Sequence, residues 1–464
     1  MISHTFRHGI RRHVRRVAAM AAVATAAVLA LPMASCSPTE ILEVQDPDII
    51  DPENVQSLAG AHAVRNGALS RFNDATTGEE SLFLLGGLFS DEWINGDSFI
   101  ARQEVDQRVI TAENTFLTAA NRTLHRARFS AQQAIELLAE WDPTAPAWQI
   151  GEMHLIKAFV VNLMAEHLCD GVVFSTVVDG RPEYGSPITI VEALEMALDH
   201  VDDGLALTFG TTANDTRVLN ALRVTKGRIL MNLDRYTEAA TAVAAVPTSF
   251  AYEMRHSESS NLNQFWSFNN NARRYSVGNL EGGNGLNFAT AADPRVPVCL
   301  GNDTQCRAIG VTQTRKDDQS TPLHVQMLWP ARESPVVIIN GVEARLIEAE
   351  VLLNAGSTGL AVDTLNDLRS AVAGLTPLSD AGTFDLNVNQ LFRERAFWMF
   401  GRGHRVGDMR RLIRQYSRAA NTVFPVGLWH KGGDYGTDVN MPVPFAEANN
   451  PNVSPSQTCM NRNP

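Results

Sequence analysis

Apolar side chains recur at intervals of three and four along this 464-residue chain, in segments that come two at a time. That interval is the period of one helix face, so each pair predicts two helices hiding their apolar stripes against each other. Leu124, Ala127, Ala131, Ala134 and Leu138 form the first stripe. Met153, Ile156, Val160 and Leu163 form the next, on a helix from about Gly151 to Leu168. In "SPITIVEALEMALDHVDDGLA" Thr189 is placed to cap a third helix. "NDTRVLNALRVTKGRILMNLDRYTEAATAVAAVP" predicts two more, split at Asp234, Arg235 and Tyr236. The design returns where Ile347, Val351 and Ala355 lead through Gly356 to Ala361, Leu365, Leu368, Val372 and Leu375.

Such helix–short turn–helix units, with small residues where helices cross, resemble tetratricopeptide repeats. They fall at about 118–246 and 341–375, and long non-helical stretches interrupt them. The largest interruption, about 251–336, is rich in Asn, Gly, Ser and Pro and carries aromatics. A loop-rich insertion of that length is expected to be ordered and functional. The expected fold class is therefore mainly α: irregular repeat-like helix pairs, long insertions and a few short strands.

The N-terminus has a different character. Arg7, Arg11, Arg12, Arg15 and Arg16 precede an apolar run from Val17 to Leu31 that only Thr25 interrupts. The run is too short to span a bilayer and has the form of a secretion signal. Met33-Ala34-Ser35-Cys36 closes it and resembles a bacterial lipobox. That resemblance implies that residues 1–35 are removed and that Cys36 is acylated, leaving 36–464 as a single tethered domain. Loss of five arginines and no acids would move the formal charge from −12 to −17. An acidic chain without a basic stripe is not expected to bind nucleic acid. Cys299 and Cys306 bracket the polar turn "LGNDTQ" and read as a small-loop disulfide of an exported protein. Cys169 and Cys459 are left open between buried thiols and a second bridge.

The C-terminal third carries the most specific pattern. "FRERAFWMFGRGHRVGDMRRLIRQY" presents Glu394-Arg395, Phe400, Gly403, His404-Arg405, Asp408 and Arg410-Arg411 in order. "MPVPFAEANNPNV" follows at 441–453, "LCDGVVFS" lies at 168–175, and "ILEVQDP" stands soon after Cys36. With "GVEARLIEAEVLLNAG", these segments resemble the SusD/RagB-like nutrient-binding lipoproteins, with the signature spanning about 392–453. Trp398, Gly401-Arg402 and Val406 depart from that pattern. The resemblance implies an outer-membrane lipoprotein, facing outwards, that takes up a glycan or peptide oligomer. Its implied partner is a SusC-like, TonB-dependent transporter, and no chemistry is implied.

Read without the family, the arginines of 402–414 are expected to pair internally, with Asp408 and Glu394 as partners. "GGNGLNF" and "GRGHRVG" make weak phosphate cradles, because neither follows a strand and opens a helix. There is no HExxH or GxSxG motif, and no metal or cofactor is expected. A glycoside hydrolase and a protein-docking repeat scaffold are the alternatives; "SDEWINGD" is the first place to seek paired carboxylates.

Sugar rings stack their C–H faces on flat aromatics, while their hydroxyls call for amides, acids and arginine. Two stretches outside helical periodicity combine these parts: Asp91, Trp93 and Asn95, then Trp266, Asn269, Arg273 and Tyr275. Trp329, held extended by the following proline, is placed to close the same surface. The competing reading makes Phe265 and Phe268 anchors of the insertion, with the tryptophans as their caps.

Overall fold

The stripe that begins at Leu124 belongs to a long helix, α4 (Thr115–Trp141), in a computed structural model that describes residues 55–178, 181–454 and 459. Asn114 starts it by accepting from the Phe116 and Leu117 amides, and Leu124, Ala127, Ala131, Ala134 and Leu138 are all buried. One face of α4 packs on α1 (Leu58–Thr77) and another on α5 (Ala147–His167). The elements between them are α2 (Leu82–Phe89), the short strand β1 (Trp93–Asn95) and α3 (Ile100–Gln107).

Each later helix then leans on its predecessor, through α6 (Ile190–Leu205), α7 (Ala213–Asn232) and α8 (Tyr236–Val243). Capping boxes open two of them, Thr189 with Glu192 and Thr212 with Asp215. In α7 a Cβ on Gly227 would sit 2.4 Å from Val243 Cγ1, so glycine lets α8 approach closely.

The repeat resumes at 341–370, and four helices follow a short one in the insertion, α9 (Thr304–Ala308). They are α10 (Gly341–Asn354), α11 (Thr358–Ser370), α12 (Phe384–Trp398) and α13 (Arg405–Arg414). A last short helix is α14 (Ala420–Val423), giving fourteen α-helices among the described residues. None is long and apolar enough to cross a membrane. Gly356, at φ 76°, ends α10 in a left-handed conformation that costs glycine little. Leu346, Leu353, Leu365, Leu368, Leu391 and Phe392 knit α10–α12 together. Each such side chain contributes roughly 1.5–3 kcal/mol by burial.

The insertion is ordered. Its base is closed by β6 (Ala251–Met254) against β10 (Val336–Asn340), both antiparallel. Within it lie a π-helical turn (Trp266–Asn271), β7 (Tyr275–Val277), and β8 (Val298–Leu300) paired with β9 (His324–Gln326). The expected Cys299–Cys306 disulfide is formed and encloses the start of α9. The open question over the other pair is answered by a second disulfide, Cys169–Cys459, which ties the end of α5 to the C-terminal segment. After α5 in the chain, two further ladders join β2 (Val172–Val173) to β5 (Pro187–Ile188) and β3 (Thr176–Val178) to β4 (Arg181–Glu183).

From Gln56 onward the chain forms one compact unit. The predicted signal, Cys36 and the "ILEVQDP" segment lie outside the described residues.

Candidate ligand-binding face

The two stretches singled out for ligand contact do meet, but inside the protein. β1 pairs antiparallel with β7, setting Trp93 opposite Val277 and Asn95 opposite Tyr275. Trp93, only 1% exposed, lies 5.0 Å from the Phe400 ring, 6.1 Å from Phe265 and 6.5 Å from Tyr275, centroid to centroid. Trp329 is loop-borne as expected, yet 3% exposed, because it rests on Phe265 at 4.6 Å and against Gly401. Phe268 stacks on Tyr275 at 5.2 Å. These rings form an aromatic core that pins the insertion to the turn after α12, so the anchoring reading holds for Trp93, Tyr275 and Trp329. Stacking a ligand on them, as first expected, is corrected by their burial.

The polar members are interior too. Asp91 receives both arms of Arg405, at 2.7 and 2.8 Å, and also the Leu286 amide. Asn95 caps the turn to Asp97 through its side chain, and its carbonyl accepts from Lys316 and His430. Asn269 bonds the Tyr275 and His324 carbonyls and the Gln326 amide. Asn270 pairs with the Gln326 side chain. Asn269 and Asn270 are thus buried and paired, while Asn271 is exposed, which removes the penalty that favoured an exposed loop for the whole run.

The acids of "SDEWINGD" offer no open carboxylate pair. Glu92 accepts from the Gly401 amide, and burial pushes its carboxyl up to about 8. Asp97 binds Arg102 at 2.7 Å.

The C-terminal signature is held internally, with one change of partner. Asp408 takes two bonds from Arg395 and one from Arg411. Arg411 also grips Glu350. Glu394 binds Arg295 and Arg369, neither of them in the 402–414 run. Arg410 donates to the carbonyls of Ala165 and Leu168 at the end of α5, where the helix dipole favours a cation. "GRGHRVG" does open a helix, α13, but it follows α12 rather than a strand; Gly401 and Gly403 both take positive φ there.

Of the expected contacts, Trp266 and Arg273 keep part of their surface. The Arg332 guanidinium lies 5.7 Å from the Trp266 ring. Arg273 sits at φ 56° and donates to the Arg315 carbonyl.

The aromatic that the first stretch does present is Phe99, six residues beyond Trp93 and 49% exposed. Arg102 and Arg274 each stand 5.3 Å from its ring, and Phe116 lies at 6.0 Å. Beneath it, Phe268 touches the same two arginines. Phe99 and Ile100, at the start of α3, and Arg273 and Arg274 of the insertion together form an apolar and cationic surface. The sequence held one signal for Phe99: it follows "GDS", a turn that exposes what comes next.

No family model and no curated protein matches the chain. Solved structures do match it. A SusD-like carbohydrate-binding protein from Bacteroides fragilis NCTC 9343 aligns over 86% of this chain and 99% of its own, with a TM-score of 0.62 at 14% identity. Surface glycan-binding protein A from Bacteroides thetaiotaomicron aligns over 85% and 97%, with a TM-score of 0.62 at 12% identity. A SusD superfamily protein from Bacteroides thetaiotaomicron VPI-5482 aligns over 88% and 100%, with a TM-score of 0.60 at 15% identity. These matches span most of the chain, and the chain has the SusD-like fold.

Proposed function

We propose that this chain is a SusD/RagB-like lipoprotein that captures a nutrient oligosaccharide and delivers it to a TonB-dependent transporter without transforming it. The observation that carries this reading is the near-complete architectural likeness to proteins described as carbohydrate-binding. Cys36 would be the acylated anchor, and the outer membrane, facing outwards, the location. The ligand face would be the surface where Phe99 meets Arg273 and Arg274 of the insertion, with Trp266 at its margin. Interior ion pairing of Asp91 and Asp97 supports binding over hydrolysis at this stretch, since neither carboxylate faces a substrate.

Titration of the full chain with a panel of neutral and acidic oligosaccharides, alongside a peptide pool, tests the reading. Glycan binding that Phe99→Ala weakens supports it. Binding confined to peptides would replace the ligand class, and no binding to either pool would sink the reading. The anchor is tested separately: Cys36→Ala should abolish labelling by a fatty-acid probe and release the protein from membranes. Co-purification with one large outer-membrane barrel from mild detergent tests the transporter partner.

A further inference from the structure

A second concavity lies away from the insertion. α4, the paired strands β3 and β4 and the 3-10 turn Phe445–Asn449 enclose a cleft of about 420 Å³, within the size range of small-ligand sites. Its lining is mainly apolar, with Phe129, Val173, Val177 and Pro182 among the contributors. Its charge runs against that of the whole chain, whose net value is −12. Arg122, Arg126 and Arg128 lie on the wall, and Glu447 is the one carboxylate lining it among the described residues.

Glu447 is engaged on its own side, accepting from Asn121 Nδ2 at 3.0 Å with His125 Nε2 at 3.9 Å. Neither Arg122 nor Arg128 has a carboxylate partner among the described residues. Arg122 is exposed at the rim. Arg128 is deeper: it donates to the Ser175 carbonyl and stands 5.5 Å from the Phe174 ring, and its Nε has no partner among the described residues. Burial pulls the Arg128 guanidinium down from its ordinary value, with no anion to offset the loss of solvent. A desolvated cation with an unused donor is stabilised by an incoming anion.

We infer that this cleft is a binding site for a carboxylate-bearing oligosaccharide, with Arg122 and Arg128 on the acid group and Phe129 against a sugar ring. The inference rests on the glycan-capture reading for its ligand class and adds an acidic unit and a second location. Thr118, Thr176 and the Asn121–Glu447 pair supply donors and acceptors for the hydroxyls.

Calorimetric titration of the full chain with a galacturonic-acid trisaccharide, the neutral galactose trisaccharide and triglutamate tests it. The expected result is preferential binding of the uronate, weakened at least tenfold by Arg122→Glu and by raised salt, and retained in Phe99→Ala. Arg122 is exposed, so that variant should fold; Thr176→Lys, which obstructs the same wall, gives an independent check with the same expected loss. Equal binding of the neutral trisaccharide, or loss in Phe99→Ala but not in Arg122→Glu, overturns the inference while glycan capture stands. Triglutamate binding tighter than the uronate overturns it in favour of an acidic peptide. Absence of uronate binding overturns it outright, whereas glycan capture itself is decided by the wider panel.

Discussion

Asp91 and Arg405, 314 residues apart in sequence, form a buried two-pronged ion pair that joins the stretch before β1 to the first turn of α13. The pair lets a loop that reads as a ligand contact serve as a tie between the helical body and the insertion. Asp91→Asn would leave a buried guanidinium without its counter-charge. The expected loss is about 3–5 kcal/mol, the range for breaking a buried pair from one side. Urea unfolding measures it. A midpoint unchanged from wild type would mean that the pair does not close in solution.

Trp93 and Phe99 should separate stability from binding. Trp93→Ala removes a ring packed among Phe265, Tyr275 and Phe400 and should lower stability by about 3–5 kcal/mol, while the folded fraction binds normally. Phe99→Ala removes a half-exposed ring and should leave the melting temperature nearly unchanged. Its effect should appear in glycan affinity, by roughly 1–3 kcal/mol on the analogy of bases stacking on aromatics. The reverse pattern would exchange the roles of the two residues.

The contrast between these two residues marks how far the sequence reads. Helices announce themselves through local periodicity and caps, so α4–α8 and α10–α11 were legible from stripes such as Leu124 to Leu138 and from Thr189 and Gly356. The α1 stripe, Ala61, Val64, Ala68, Phe72 and Ala75, carries the same spacing but rests mostly on alanine, a weak apolar signal. α2, "LFLLGGLF", is buried on every side and has no stripe to read. Burial of Trp93, Asn269 and Trp329 depends on partners far away in sequence: Phe400, Gln326 and Gly401. No local pattern encodes those contacts. Aromatic and amide residues compose a sugar site and a polar-lined core equally well, and only the tertiary pairing of β1 with β7 distinguishes them.

The two disulfides should differ in weight. Cys299–Cys306 closes a separation of 7 residues, and Cys169–Cys459 one of 290. On loop-entropy grounds the first contributes about 2 kcal/mol and the second about 5–6 kcal/mol. Replacing Cys169 and Cys459 together by alanine should therefore lower the melting temperature more than twice as far as replacing Cys299 and Cys306. Equal shifts would mean that strain or residual unfolded-state structure cancels the entropy.

Two buried carboxylates should give opposite pH signatures. Burial would raise Asp408, but Arg395 and Arg411 outweigh it and hold the group below its ordinary value. Its contribution is present above the unfolded pKa and is lost as pH falls through the folded one, so the cost of Asp408→Asn should shrink in acid. Glu92 behaves in the other sense. Burial raises it from 4.5 to about 8, with the Gly401 amide and the arginines only partly opposing. Below about pH 4.5 both folded and unfolded forms hold the proton, and the group is neutral to stability. Between there and about pH 8 the unfolded chain releases the proton while the folded chain retains it, so stability falls as pH rises. Above pH 8 the penalty is constant. Glutamine keeps an oxygen for the Gly401 amide, 2.9 Å away, and carries no proton to lose. Glu92→Gln should therefore match wild type near pH 4.5 and become progressively more stable than wild type up to pH 8. Urea midpoints at pH 5 and pH 8 decide it: a difference between variant and wild type that stays constant, or that shrinks with pH, would show that Glu92 is ionised in the folded protein.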